Sequence, residues 1–173
     1  MTADDLSLLD GIATTRAIRR YTDEPISDDD LATILFSATR APTGSNRQHF
    51  RFLVLRDGPV AAEAKALLGQ AFRDGWAAKR GNDGYDAGSG AKADSPKARV
   101  AAAMQHFVDH FEQTPVVLLP CIRRRHGNLQ DGASIYPAAQ NLLLAARALG
   151  YGGVMTGWHG LVEAELRELC GIP

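Results

Sequence analysis

Apolar positions recur at helical spacing along much of this chain. Leu31, Ile34, Leu35 and Ala38 fall at the i, i+3, i+4, i+7 interval of one helix face. Ser27, with Asp30 three positions on, forms a capping pattern just before them, which predicts a helix start there. A second helix is predicted after Ser95-Pro96, a cap followed by proline at the first helical position, with Val100, Met104, Phe107, Val108 and Phe111 along its apolar face. A third, Ile135 to Leu149, is apolar on nearly every side and stops at Gly150, a pattern that suits a core or a subunit interface.

Strand signals are fewer. Phe50 to Leu55 and Val116 to Leu119 are apolar at consecutive positions, as in strands covered by helices on both faces, and Gly153 to Met155 reads as a short third strand. Helices interleaved with few strands predict a layered α+β or α/β domain rather than a bundle. "RGNDGYDAGSGAKADSP", Arg80 to Pro96, is rich in Gly, Asp and Ser. It predicts a loop, either disordered or a mobile lid, whose single aromatic, Tyr85, is available to stack on a bound molecule.

Composition narrows the partners. At 173 residues and 45% hydrophobic content the chain can bury one real core. Nineteen basic and twenty acidic residues give a net charge of -1, which argues against nucleic acid or an anionic membrane as main partner and for a small molecule. No run approaches the roughly 18 apolar residues that span a bilayer, and "MTADDLSLLDG" lacks the regions of a secretory signal, so a cytoplasmic protein is expected. Cys121 and Cys170 show no metal-ligand spacing, so two buried or half-buried thiols and no metal are expected.

Three segments carry residues that packing does not explain. In "TTRAIRRYTDEPIS", Thr14 to Ser27, Arg16, Arg19 and Arg20 cluster before a proline turn, and the planar, permanently charged guanidinium suits phosphate; the alternative is a solvated surface. In "RAPTGSNRQHFRFLVLRD", Arg40 to Asp57, a turn with Pro42, Gly44, Ser45, Asn46 and Gln48 passes within two residues into a strand. Its amides and hydroxyls are placed to hydrogen-bond the edge of a flat heterocycle, or else to satisfy their own loop backbone. In "ALGYGGVMTGWHG", Ala148 to Gly160, Gly152, Gly153 and Gly157 permit close backbone approach to a ligand. Neither GxGxxG after a strand nor GxxxxGK occurs, His159 has no carboxylate at local spacing, and no triad or carboxylate pair stands out.

Taken in order, the three segments resemble the nitroreductase family of FMN-dependent oxidoreductases. "TRAIRRY" (Thr15 to Tyr21) is similar to that family's Arg-Arg-Ser-x-Arg-x-Phe motif. "APTGSNRQHFRFLVL" (Ala41 to Leu55) is similar to its Ala-Pro-Ser-x-x-Asn-x-Gln-Pro-Trp turn and strand. "NLLLAARALGYGGVMTG" (Asn141 to Gly157) is similar to its apolar helix, Leu-Gly-x-Gly end and Thr-Gly turn. The resemblance implies a layered α+β fold, a central mixed sheet flanked by helices, completed by homodimerisation. It implies FMN as cofactor, NADH or NADPH as electron donor, and a small flat acceptor such as a nitroaromatic or quinone, reduced by a ping-pong mechanism. Reductive dehalogenation, flavin fragmentation, or flavin binding without turnover are the alternatives.

The flavin would carry the chemistry, so no catalytic side chain is implied. By resemblance, Arg16 and Arg19 hold the phosphate and ribityl chain, with Arg19 also near the N1 and O2 edge of the ring. Pro42, Thr43, Gly44, Ser45, Asn46 and Gln48 form the ring-contacting turn, and Met155, Thr156 and Gly157 the backbone beside the reactive edge. Ala17 stands where the family usually has serine, Thr15 where arginine is common, and His49-Phe50 where Pro-Trp is usual. "CGIP", ending at Pro173, falls where relatives continue through another strand and a basic tail, so a single domain over 1–173 without that strand, and weaker FMN binding, are expected. "CIRRRHGN", Cys121 to Asn128, offers Arg123, Arg124, Arg125 and His126 either to the extra phosphate of NADPH or as a solvated loop.

Overall fold

The computed structural model describes residues 6–123 and 129–173. The elements run α1 (Leu8–Thr14), α2 (Asp28–Thr39), β1 (Phe50–Leu55), α3 (Pro59–Asn82), α4 (Pro96–Asp109), β2 (Val117–Ile122), α5 (Leu129–Ala148) and α6 (Glu163–Leu169). They group into two compact units. The first comprises the described residues up to Ile18 with Glu24–Val54 and Leu118–Met155; the second comprises Arg19–Asp23, Leu55–Val117 and Thr156–Pro173.

In the first unit α2 packs on α5. The Ser27 hydroxyl accepts the Asp30 N–H at 3.1 Å, as its spacing predicts, and Leu31, Ile34 and Ala38 are buried one helical turn apart. Ile34, Ala38, Ala41, Phe50, Ala138 and Leu142 form one core cluster. Burying side chains such as Ile34, Phe50 and Leu142 contributes about 1.5–3 kcal/mol each. Two polar ties fix how the helices meet: Tyr151 Oη donates to the Asp30 carboxylate at 2.7 Å, and Asn141 Nδ2 donates to the Ser37 carbonyl at 3.1 Å. The first of these holds the Tyr151 phenol above its ordinary pKa, because ionising it would place a second negative charge beside Asp30. Helix α5 covers Leu129–Ala148 rather than starting at Ile135; its first turns include the buried polar residues Asp131 and Ser134, which an apolar pattern does not pick out.

β1 and β2 form a two-stranded sheet. The Arg123 N–H donates to the His49 carbonyl at 3.3 Å, joining the start of β1 to the end of β2 and making the pair antiparallel. β2 covers Val117–Ile122 rather than Val116 to Leu119, and the third expected strand is one parallel bridge, Ala17 to Gly153. Of these strands only Phe50 and Leu55 are buried, so the expected cover on both faces is not found among the described residues.

The second unit is held by aromatic packing. Helix α3 buries Ala64, Leu68, Phe72 and Trp76 along one face, and Phe72 lies 4.5 Å from Phe111 between ring centroids. Two glycines let neighbours come close: a Cβ at Gly69 would stand 2.3 Å from Glu112 Oε1, and one at Gly75 would stand 2.9 Å from the Trp158 ring. On α4 the Ser95 cap and Pro96 are as the sequence predicts, but Val100 is exposed and Ala101 takes the inward position. Lys65 is buried with its ammonium donating to the carbonyls of Arg56 at 3.0 Å and Pro115 at 3.2 Å. Burial is the main cause that lowers its pKa.

The glycine-rich segment differs from its expectation. Helix α3 continues through Arg80 to Asn82, and a 3-10 turn covers Gly88–Ala91. Arg80 grips the Asp86 carboxylate through Nε at 3.0 Å and a terminal nitrogen at 2.7 Å, and reaches Gln105 Oε1 at 3.0 Å. The Tyr85 ring packs edge-on to buried Trp76 at 5.0 Å, with the Lys97 ammonium 5.3 Å from its centroid. Tyr85 is thus engaged within its own unit, not left free to stack on an acceptor.

Candidate functional site

The turn after α2 is the most unusual backbone in the first unit. Ser45 (φ 55°), Asn46 (φ 51°) and Gln48 (φ 47°) all adopt the left-handed region, with Arg47 at φ -75° between them. Side chains other than glycine enter this region at a cost of about 1–3 kcal/mol each, and the surroundings must hold them there. Here Thr43 Oγ1 accepts the Gln48 N–H at 2.9 Å, the Thr43 carbonyl accepts the Asn46 N–H at 2.9 Å, and Ser134 Oγ of α5 accepts the Gly44 N–H at 3.1 Å. Gln48 Nε2 donates to Asn46 Oδ1 at 3.2 Å. Pro42, Gly44, Ser45, Asn46 and Gln48 are exposed and Thr43 half-buried. The turn therefore satisfies part of its own polarity and presents the rest outward.

The first and third motifs meet in the same unit. Ala17 bridges Gly153, and the Ile18 N–H donates to the Gly153 carbonyl at 3.0 Å. Gly152 is needed for this approach, since a Cβ there would stand 2.8 Å from the Ile18 side chain. Arg16, exposed, donates to the carbonyls of Ala13 and Thr15 at 2.9 and 3.0 Å. Met155, two residues past the bridge, is 57% exposed. Among the described residues no hydrogen bond joins the Pro42–Gln48 turn to Arg16 or Met155.

Arg19, Thr156 and Gly157 belong to the second unit. The half-buried Arg19 has no hydrogen-bond or ion-pair partner among the described residues. Nearby Tyr21 packs its ring edge-on to Phe107 at 6.3 Å, and burial pushes its phenol up to about 12 while Arg19 pulls the other way. Gly157 is exposed, with open space where a Cβ would project. Arg123 is exposed; Arg124, Arg125 and His126 lie outside the described residues. Trp158, next to the third motif, packs on Phe72 at 5.7 Å and so serves the core.

Ser134 was missed by sequence reasoning, which began its helix one residue later; the available signal was a lone hydroxyl at the edge of an apolar helix. Within the first unit, the outward-facing amides of the Pro42–Gln48 turn are hydrogen-bond donors and the exposed Met155 thioether is an apolar surface; within the second, Arg19 is a half-buried guanidinium. Chemically, a guanidinium suits phosphate, amide donors suit ring oxygens, and an apolar surface suits stacking. Among the described residues no group of three His, Cys, Asp or Glu side chains is arranged to hold a metal ion, and no helix is long and apolar enough to cross a membrane.

A model of the Nitroreductase family matches residues 12–173. A curated protein of Archaeoglobus fulgidus, provisionally named NADH dehydrogenase/NAD(P)H nitroreductase, is 32% identical over 167 residues, covering 94% of this chain and 75% of its own length. A crystal structure from Desulfovibrio desulfuricans, provisionally named a nitroreductase and in complex with FMN, matches at TM-score 0.61 with 27% identity, over 93% of this chain and 74% of its own. An iodotyrosine deiodinase bound to FMN and 3-iodo-L-tyrosine matches at TM-score 0.68 with 19% identity, over 96% and 82%. The structural matches establish the fold as the α+β fold of these flavoproteins.

Proposed function

The chain belongs to the nitroreductase family, and from that membership we propose that it is an FMN-dependent oxidoreductase. The electron donor is NADH or NADPH, and the acceptor a flat electrophile such as a nitroaromatic or quinone. FMN held by these residues would supply the redox chemistry, hydride uptake from the nicotinamide and delivery of reducing equivalents to the acceptor, in a ping-pong sequence. The observation that carries the reading is the bridge between Ala17 and Gly153, which sets the first motif beside the third.

The chain's own residues bind and orient. Arg16 and Arg19 take the phosphate and ribityl oxygens, and Arg19 also offers positive charge to the ring edge where negative charge gathers on reduction. Ala17 leaves the phosphate without the hydroxyl that serine supplies. Pro42, Thr43, Gly44, Ser45, Asn46 and Gln48 present amides and hydroxyls to the ring, and Met155, Thr156 and Gly157 line its reactive edge with backbone. Leu8, Leu9, Ile12, Phe36 and Tyr136 of the first unit leave apolar area exposed, which supports a homodimer.

Purified protein should be yellow or become so with FMN, release FMN on denaturation, and oxidise NADH or NADPH faster when a quinone is present. Bound FMN with no such turnover would make it a flavin-binding protein instead. Turnover of a halogenated phenol in place of the quinone would move it to reductive dehalogenation. Failure to bind FMN at all would overturn the reading.

A further inference from the structure

Among the described residues two buried side-chain atoms have no hydrogen-bond partner: Thr114 Oγ1, on a segment with no candidate residue, and His49 Nδ1. His49 closes the polar turn. Gln48 before it is held at φ 47°, Phe50 after it is buried, and its own carbonyl accepts the Arg123 N–H at 3.3 Å. The backbone is pinned on both sides, so a swing of the main chain does not rescue the ring. An imidazole nitrogen is a donor or an acceptor in every protonation state, so Nδ1 lacks a partner whichever tautomer is present.

A buried polar atom without a partner is unfavourable, and nearly all such atoms in folded proteins are paired. This one adjoins a turn that already holds three side chains in the left-handed region. Both features destabilise the free chain at one place. A site completed by a ligand accounts for both, because the ligand supplies the missing bond and the turn must be preset to receive it. The proline that the family usually carries at this position has no side-chain nitrogen, so the unpaired atom is a property of this chain.

We propose that His49 is a cofactor-contacting residue, its Nδ1 forming a hydrogen bond with FMN held at the Pro42–Gln48 turn. The proposal rests on the reading of the protein as an FMN-binding oxidoreductase.

The test compares the wild-type protein with His49→Phe, which keeps a flat ring without nitrogen, and His49→Asn, which restores a polar atom close to the Nδ1 position. Two quantities are measured: the FMN dissociation constant by flavin fluorescence, and the urea midpoint of the FMN-free protein. Loss of one buried hydrogen bond should weaken FMN binding in His49→Phe by about tenfold or more. The midpoint of the free protein should stay level or rise, because an unpaired buried group has been removed. His49→Asn should stay within a few-fold of wild type. The proposal is overturned if His49→Phe binds FMN as tightly as wild type, if His49→Asn loses as much as His49→Phe, or if the free His49→Phe protein has a lowered midpoint. If His49→Phe cannot be purified folded, nitrogen NMR of the wild-type protein decides: the His49 Nδ1 resonance moves on FMN addition, and an unmoved resonance overturns the proposal. A wild-type protein that never binds FMN overturns this inference together with the functional reading, whereas the variant outcomes overturn this inference alone.

Discussion

Arg80 and Arg19 carry the same side chain into opposite circumstances. Arg80 is held by Asp86 and Gln105 inside the second unit. Arg19 has no hydrogen-bond or ion-pair partner among the described residues. The two polar segments differ in the same way. The glycine-rich stretch after α3 has the composition of a disordered loop, yet Trp76, Arg80 and Lys97 tie it down. The Pro42–Gln48 turn looks like an ordinary connection, yet it holds three strained residues and adjoins an unpaired buried nitrogen. Composition thus marked as unfinished a segment that its own unit ties down. What distinguishes a segment built for a ligand is polarity and strain that the chain does not satisfy for itself.

The comparison can be broken first at Trp76. This side chain is 1% exposed, and Trp76→Ala should lower the unfolding free energy by about 3–5 kcal/mol, the range for large aromatic truncations in a core. Hydrogen exchange in residues 83–95 should quicken with it, because Tyr85 loses the ring it packs against. Unchanged exchange there would transfer the tie to the ion pair alone.

At Arg19 the effect should appear in binding and leave folding nearly untouched. A charge-assisted contact contributes about 1.5–3 kcal/mol, so Arg19→Ala should weaken FMN binding by roughly ten- to a hundredfold or more. It should also make the bound flavin harder to reduce, because a positive charge beside the ring favours the reduced form. An unchanged potential with FMN still bound removes Arg19 from the ring edge and leaves it, at most, on the phosphate.

Ser45→Gly sharpens the comparison from the other side. Glycine enters the left-handed region without the penalty of about 1–2 kcal/mol that a Cβ brings, though it loses more freedom on folding. The net expectation is a gain of about 0.5–1 kcal/mol in the urea stability of the FMN-free protein, with no gain in FMN affinity. A loss of stability would mean that the Ser45 hydroxyl holds the turn and that the strain is compensated locally.

The smallest effect concerns the tie itself. The hydrogen bond from Arg80 is the main cause that holds the Asp86 pKa below the ordinary aspartate range. A depressed folded-state pKa contributes stability above the ordinary value of about 4 and loses it as pH falls through the lowered one. Protection of residues 83–95 should therefore be steady near neutrality and decline in acid, on a scale limited by the exposure of the pair. A protection pattern indifferent to acid would leave Trp76 and Lys97 as the ties that matter.

Much of the scaffold was legible in the sequence. The cap at Ser27, the Ser95-Pro96 start, the apolar rows of α2, and the consecutive apolar residues of β1 are local signals, written within a few positions of the structure they specify. The three motifs were legible for the same reason, since each is a short run of residue types. Contacts across sequence distance were settled only by tertiary structure. The meeting of Ala17 with Gly153, the hold of Ser134 on Gly44, and the packing of Tyr85 on Trp76 join residues whose own neighbourhoods do not announce each other. The left-handed turn at Ser45, Asn46 and Gln48 belongs with them, because neither serine nor glutamine prefers that backbone and only surrounding bonds keep them in it. Sequence alone therefore specified which segments are helix, strand and motif. Tertiary structure decided which polar groups are satisfied by the chain and which, like His49 Nδ1, are left for something else to complete.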